Sequence, residues 1–262
     1  MNSWWDKQIR RADELEERSS ASLGLMKFYA QLLRSQKEIY QYLRSRQDWL
    51  PSGEIENDMV ILHEGLRPLL QAVEKHGPVP LSSEAKYLSE SKPEVMSELL
   101  IEYWHDPSDV QFFGKACLQP YFKWLAESGG RLAGRETRRS ERECPFCGGP
   151  PQLSFLYNKE IAGEGGNRIL LCGRCLSTWE FRRVVCANCG EERPEKLPYF
   201  HSSEFDYVRI EACDSCKHYL KGIDLTRLGH AVPLVDEIYA APLDLWARDQ
   251  GYKKIELNLV GI

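Results

Sequence analysis

The segments Cys144-Pro145-Phe146-Cys147-Gly148-Gly149, Leu171-Cys172-Gly173-Arg174-Cys175, Cys186-Ala187-Asn188-Cys189-Gly190 and Glu211-Ala212-Cys213-Asp214-Ser215-Cys216 decide how the second half of this 262-residue chain folds. Each carries a Cys-x-x-Cys pair. Cys147 and Cys172 lie 25 positions apart and Cys189 and Cys213 lie 24 apart, so the chain reads as one ribbon-like unit used twice, with a short join from Cys175 to Cys186. Two residues between the sulfurs let a tight turn aim both at one tetrahedral ion, about 2.3 Å from each for zinc. The spacing assigns Cys144, Cys147, Cys172 and Cys175 to one metal site and Cys186, Cys189, Cys213 and Cys216 to a second. A crossed arrangement, with the first pair joined to the third, is the competitor.

Flanking residues support the turns. Pro145 follows the first cysteine, and Gly148, Gly149 and Gly190 follow the second cysteine of their pairs, where glycine can take positive φ and let backbone N–H groups point at sulfur. Leu153, Phe155 and Tyr157 alternate, Ile169-Leu170-Leu171 runs into Cys172, and Val208, Ile210 and Ala212 alternate into Cys213, which reads as short strands. A thiol-disulfide site would need a helix starting at the first cysteine. Gly148-Gly149-Pro150-Pro151 and Gly190-Glu191-Glu192-Arg193-Pro194 cannot supply one, and only Cys213/Cys216, followed by Lys217-His218-Tyr219-Leu220-Lys221, could open a helix. Four thiolates suit zinc and also a single iron, and a site complete in its ligands keeps no open position for substrate, which favours a structural ion over catalysis.

Composition bounds the rest. With 42% hydrophobic residues the chain can hold one sizeable core besides the metal-stapled units. Its formal charge of −5 falls to about −9 once eight thiolates and two divalent ions are counted, which disfavours nucleic acid as a partner. No apolar run is long enough to span a membrane, and Arg10-Arg11 is followed by Ala12-Asp13-Glu14 rather than the apolar segment of an export signal. Cysteines in metal spacing fit a reducing, cytoplasmic compartment.

The first half reads as all-helical. Trp5, Ile9, Ala12 and Leu15 share a helix face; Leu25, Phe28, Tyr29, Leu32, Ile39, Tyr40 and Leu43 mark a long amphipathic helix ended by Pro51-Ser52-Gly53. A third helix carries Met59, Val60, Leu62, Leu66, Leu69, Leu70 and Val73, with Gly77-Pro78-Val79-Pro80 as its stop. Ser91 with Glu94 resembles a capping box, and Asp106-Pro107 is read as opening a helix through Val110, Phe113 and Cys117. Cys117 is expected to be a core thiol, and His63, His76 and His105 to be structural or exposed. No catalytic constellation, Walker loop or dinucleotide fingerprint is present. At the far end Asp236 is read as capping one helix that carries Leu243 and Trp246 to Gly251, with Asp244 on its surface.

The expected architecture is α+β: a helical domain over 1–128, a linker over 129–143, a first four-cysteine metal ribbon, rubredoxin-like or zinc-ribbon-like, over 144–184, and a second such ribbon with a C-terminal helix over 185–262.

Taken together these residues resemble the formate dehydrogenase accessory proteins called FdhE. The resemblance rests on the four cysteine motifs with Trp179, Arg183 and Tyr219-Leu220-Lys221, on Trp5-Asp6-Lys7-Gln8-Ile9-Arg10-Arg11-Ala12 and Phe28-Tyr29-Ala30, and on Val235-Asp236-Glu237, Leu243-Asp244-Leu245-Trp246, Gly251-Tyr252 and Asn258-Leu259. Glu237 stands where an aspartate is expected. The resemblance implies a non-enzymatic cytoplasmic maturation factor that binds the catalytic subunit of a molybdopterin formate dehydrogenase before its twin-arginine export. It also implies iron in rubredoxin-like sites, with zinc still open. The alternatives are electron or thiol transfer from iron held by four cysteines and, less favoured, a zinc-ribbon nucleic-acid binder.

Overall fold

The computed structural model describes residues 3–18, 23–132, 140–157 and 167–262, and the chain divides into two compact units, Met1–Arg135 and Glu136–Ile262. Part of the expected linker, residues 133–139, lies outside the described residues.

Among the described residues the first unit is helical: α1 Trp4–Glu16, α2 Leu23–Ser45, α3 Ile55–Gly65, α4 Arg67–His76, α5 Val79–Glu90, α6 Pro93–His105 and α7 Phe112–Glu127. α2 packs against α1, α4 and α7, burying Met26, Tyr29, Leu32, Leu33, Ile39 and Leu43. Ser3 and Asp6 cap α1 reciprocally, each side chain accepting from the other's backbone N–H. Pro120 interrupts α7 and leaves the Ala116 carbonyl without its helical donor, a gap that the Gln36 amide fills from α2 at 2.9 Å. Cys117 is fully buried, as expected for a core thiol, and His63 and His105 pair with Ser97 and Glu56.

Helix boundaries differ from the sequence reading in ways that prolines explain. The segment from Met59 to Val73 is two helices, because Pro68 cannot donate into a continuous ladder and sits instead in the first turn of α4. Gly77-Pro78-Val79-Pro80 ends α4 but also begins α5, with Pro78 at its N-cap and Pro80 in its first turn. The Ser91/Glu94 capping box does not form. Lys92 is the N-cap of α6, and the Ser91 hydroxyl donates back to the Tyr87 carbonyl. Asp106-Pro107 does not start a helix either; α7 begins at Phe112 and Val110 is exposed.

The second unit is a mixed sheet of β1 Pro151–Tyr157, β2 Asn167–Cys172, β3 Thr178–Phe181, β4 Tyr199–His201, β5 Val208–Ala212 and β6 His218–Asp224, in the order β3-β2-β1-β6-β5-β4, with β7 Lys253–Lys254 beside the start of β6. Each half is an antiparallel three-stranded ribbon. The first strand of one half, β1, pairs in parallel with the last strand of the other, β6, from Leu153↔Lys221 to Leu156↔Asp224. The repeat therefore extends the sheet by translation, and the two ribbons share one hydrogen-bonded ladder. One face is covered by α8 Pro233–Tyr239 and α9 Ala241–Asp249, with Val208, Ile210, Tyr219, Ile223, Leu243 and Ala247 in the core beneath them.

The C-terminal reading needs two corrections. The expected single helix is two, meeting at Ala240. Val232, not Asp236, is the N-cap of the first; the buried Asp236 carboxylate reaches back one turn to accept the Val232 N–H at 2.6 Å and the Tyr207 hydroxyl at 2.8 Å. Nor is Asp244 on the surface: it is 1% exposed and ion-paired.

Candidate metal centres

Four turns of one design carry the eight cysteines. In each, the residue after the second cysteine returns its N–H to the carbonyl of the first: Gly148 to Cys144 at 2.9 Å, Leu176 to Cys172 at 3.2 Å, Gly190 to Cys186 at 3.0 Å and Lys217 to Cys213 at 2.8 Å. One residue further on, a carbonyl accepts the N–H of the first cysteine: Gly149 for Cys144, Ser177 for Cys172, Glu191 for Cys186 and His218 for Cys213. Closing this loop puts the residue after the second cysteine at positive φ, 70° at Gly148 and 82° at Gly190. Glycine takes that conformation freely, but Leu176 and Lys217 take it at 60° and 57°, a cost of about 1 kcal/mol that the surrounding fold imposes. This geometry also explains why Lys217 to Lys221 form no helix: after the left-handed residue the chain leaves extended, as β6.

The turns meet in pairs. The sulfurs of Cys144, Cys147, Cys172 and Cys175 form one group and those of Cys186, Cys189, Cys213 and Cys216 another, with all sulfurs of a group within 4.8 Å of one another. Closest pairs are Cys144 to Cys175 and Cys147 to Cys172 at 3.4 Å, and Cys186 to Cys216 and Cys189 to Cys213 at 3.7 Å. Sulfurs around a tetrahedral ion at about 2.3 Å stand about 3.8 Å apart, so either group can hold one ion. The crossed arrangement does not form. Backbone N–H groups of Arg174 and Asn188 point at the sulfurs of Cys172 and Cys186, both at 3.4 Å, placing partial positive charge where thiolates need it.

The groups differ in exposure. The first is buried throughout, whereas in the second Cys189 is exposed and Cys216 half-buried. Without a cation the crowded thiols cannot ionise together. Hydrogen bonds from Cys147, Cys172 and Cys175 push Cys144 well below the usual thiol range, its hydrogen bond to Cys144 pushes Cys147 above it, and burial raises Cys175. In the second group burial opposes ionisation of Cys216, yet hydrogen bonds from Asn188 and the His218 N–H bring it to about 7.

Beneath the helices lies a buried ionic cluster that spacing in the sequence did not disclose. Lys221 on β6 and Lys254 on β7 face Glu237 of α8 and Asp244 of α9, all fully or almost fully buried. The Lys221 ammonium also donates to the carbonyls of Glu237 and Ala240 at the end of α8, and Gln152 and Asn258 donate to the Glu237 carboxylate. One signal was available: Tyr219, Lys221 and Ile223 alternate, so a strand reading places Lys221 inward.

Fold and sulfur groups together define a class: a helical unit joined to a tandem ribbon sheet with two four-cysteine groups. A family model described as "FdhE, C-terminal domain" matches residues 184–260. A "Protein FdhE homolog" of Aquifex aeolicus is 36% identical over 197 residues, covering 74% of this chain and 68% of that protein. The homologue of Stutzerimonas stutzeri is 30% identical over 156 residues, 59% of this chain, but only 49% of that protein is spanned. The crystal structure of the FdhE protein from Pseudomonas aeruginosa superposes with a TM-score of 0.70 over 99% of this chain and 96% of that one; at 22% identity it bears on the fold alone. The chain belongs to the FdhE family, the formate dehydrogenase accessory proteins that its motifs resemble.

Proposed function

We propose that this chain is a cytoplasmic maturation factor that binds the catalytic subunit of a formate dehydrogenase before export and is required for its activity. The observation that carries the reading is the family membership, reaching over 74% of the chain to the Aquifex relative. In this reading Cys144, Cys147, Cys172 and Cys175 hold one metal ion in the 144–184 ribbon, and Cys186, Cys189, Cys213 and Cys216 hold a second in the ribbon that follows, iron or zinc. An ion so held supplies cross-linking energy and a fixed loop geometry and has no free position for a substrate. The protein's own contribution is to present four rigid turns on one sheet. Two experiments test this: co-purification with the immature catalytic subunit, and formate dehydrogenase activity in a deletion strain complemented with parent or Cys-pair variants. Normal activity in the deletion strain refutes the reading.

A second reading, electron or thiol transfer to the same partner, is favoured by the exposure of Cys189, which lets another protein reach the second sulfur group. Retention of full complementing activity by a folded variant lacking only that group removes it.

A further inference from the structure

The sheet face opposite α8 and α9 holds a cavity of about 310 Å³ that adjoins the second sulfur group, with Cys186 of that group in its wall. Ser154, Gly222 and Arg209 stand in register across β1, β6 and β5 on this face. Arg168 on β2 stretches over the two middle strands to Glu211 on β5, Nη2 to Oε2 2.6 Å, and its Nη1 donates to the Arg182 and Val185 carbonyls, both at 3.0 Å. Small residues make that span possible. A Cβ on Gly222 would stand 2.5 Å from Glu211 Oε1 and 3.0 Å from Ser154 Oγ.

Charge in the cavity does not balance. Among the described residues Glu211 is the one carboxylate lining it, and it is saturated: Arg209 donates twice to Oε1 at 3.0 and 2.7 Å, and Ser154 Oγ at 2.9 Å joins Arg168 on Oε2. Arg183 stands exposed at the edge and has no hydrogen-bonding partner among the described residues. Arg168, only 4% exposed, has an Nε that is buried with no acceptor. Three guanidiniums thus share one carboxylate, already saturated, beside the Cys186 sulfur, and donors on Arg183 and Arg168 are left unspent. Much of the remaining wall is apolar, formed by Val184, Val185, Leu197, Pro198, Leu220 and Ile255, with Cys186 and His218 also on it. Orphaned buried donors and unbalanced arginines above an apolar wall are what an anion on a hydrophobic body satisfies.

We propose that this cavity binds a small organic anion, one carboxylate or phosphate group carried on an apolar or aromatic body, with Arg183 and Arg168 as its charge partners. The proposal does not rest on the maturation reading, since binding is measured on the isolated full-length chain. Calorimetric titration with phenyl phosphate and benzoate, against benzamide as the neutral counterpart, tests it. Saturable binding of at least one of the two anions at one per chain is expected, with benzamide weaker and Arg183→Gln weakening the anion by about tenfold or more, as loss of one charge-assisted hydrogen bond does. Arg183 is exposed, so this variant keeps the fold; Arg183→Lys should recover part of the loss. Absence of saturable binding by either anion, equal binding of benzamide, or an unchanged affinity in Arg183→Gln overturns the proposal.

Discussion

Replacing Lys221 by methionine keeps the length and apolar stem of the side chain and removes its charge from the cluster beneath α8 and α9. In the parent, two ammoniums and two carboxylates balance, with Lys221 3.2 Å from Glu237 and Lys254 3.1 Å from Asp244. In the variant Lys254 alone faces both carboxylates, leaving one uncompensated negative charge where exposure is 0–1%, and the Glu237 and Ala240 carbonyls lose a donor. Removing one partner from a buried ion pair costs about 3–5 kcal/mol. At about 1.4 kcal/mol per power of ten, amides of β6 that exchange through unfolding of this unit should exchange about two to three and a half powers of ten faster, read by hydrogen-exchange mass spectrometry. Lys221→Met with Asp244→Asn restores neutrality and keeps an acceptor for the Tyr219 hydroxyl, so the double variant should recover most of the loss. pH separates this charge effect from packing. In the parent, burial opposes ionisation of Asp244, but Lys221 and Lys254 hold its carboxyl below the usual range, so its contribution is present above about pH 4 and is lost as pH falls further. In the variant one carboxyl is raised above its unfolded value; its penalty is complete at high pH and disappears as pH falls through that raised value, so the deficit should shrink as pH is lowered. A single variant as stable as the parent, a double variant no more stable than the single, or a deficit independent of pH refutes the reasoning.

Three further outcomes are expected. Cys147→Ser should open the second unit to protease while Cys117→Ser leaves the helical unit resistant, because a shared metal-binding free energy of about 10 kcal/mol is at stake in one and a small buried hydrophobe in the other; equal resistance of the Cys147 variant and the parent counts against a structural metal. A chelator should withdraw metal in two phases, the faster from the group containing exposed Cys189, and Cys189→Ser should remove that phase; a single phase in the metal-loaded parent contradicts the difference in burial. Gly222→Ala should destabilise the sheet by about 1–3 kcal/mol, because its Cβ would meet a carboxylate fixed by several donors; parent-like urea unfolding of the second unit would show that Glu211 has room to move.

Local chemistry made part of the structure legible. The two sulfur groups are those that near-equal spacing pairs, because a Cys-x-x-Cys turn is set by its own few residues. The α+β class followed from two hydrophobic periods in two halves of the chain. Helix ends were less legible. Pro68, Pro80 and Pro93 sit just inside helices, where the missing N–H costs nothing, yet in a one-dimensional reading each looks like a stop or is passed over. The buried charges were least legible. Asp244 and Lys221 meet only because α9 packs across β6, and Arg168 meets Glu211 across two intervening strands; neither relation has a signature in local sequence. A solvated helix face was the sound expectation for Asp244, and tertiary packing overrode it.

That packing bears on why two four-cysteine groups occur in one unit. A lone ribbon ends in two strand edges and has little core, so a metal must supply most of its stability. Here translation of the repeat pairs β1 with β6, which removes one edge from each ribbon and places the Arg168 to Glu211 bridge across the joint. β2 ends at Cys172 of the first group, and β5 leads directly to Cys213 of the second. A brace tying β2 to β5 therefore ties one turn of each group to the other. The first group, enclosed by protein, anchors the sheet, and the second projects a more accessible set of sulfurs from the same frame. The frame sets the position of the turn that carries Cys189 without burying it, so that turn is held rigidly and yet stays accessible.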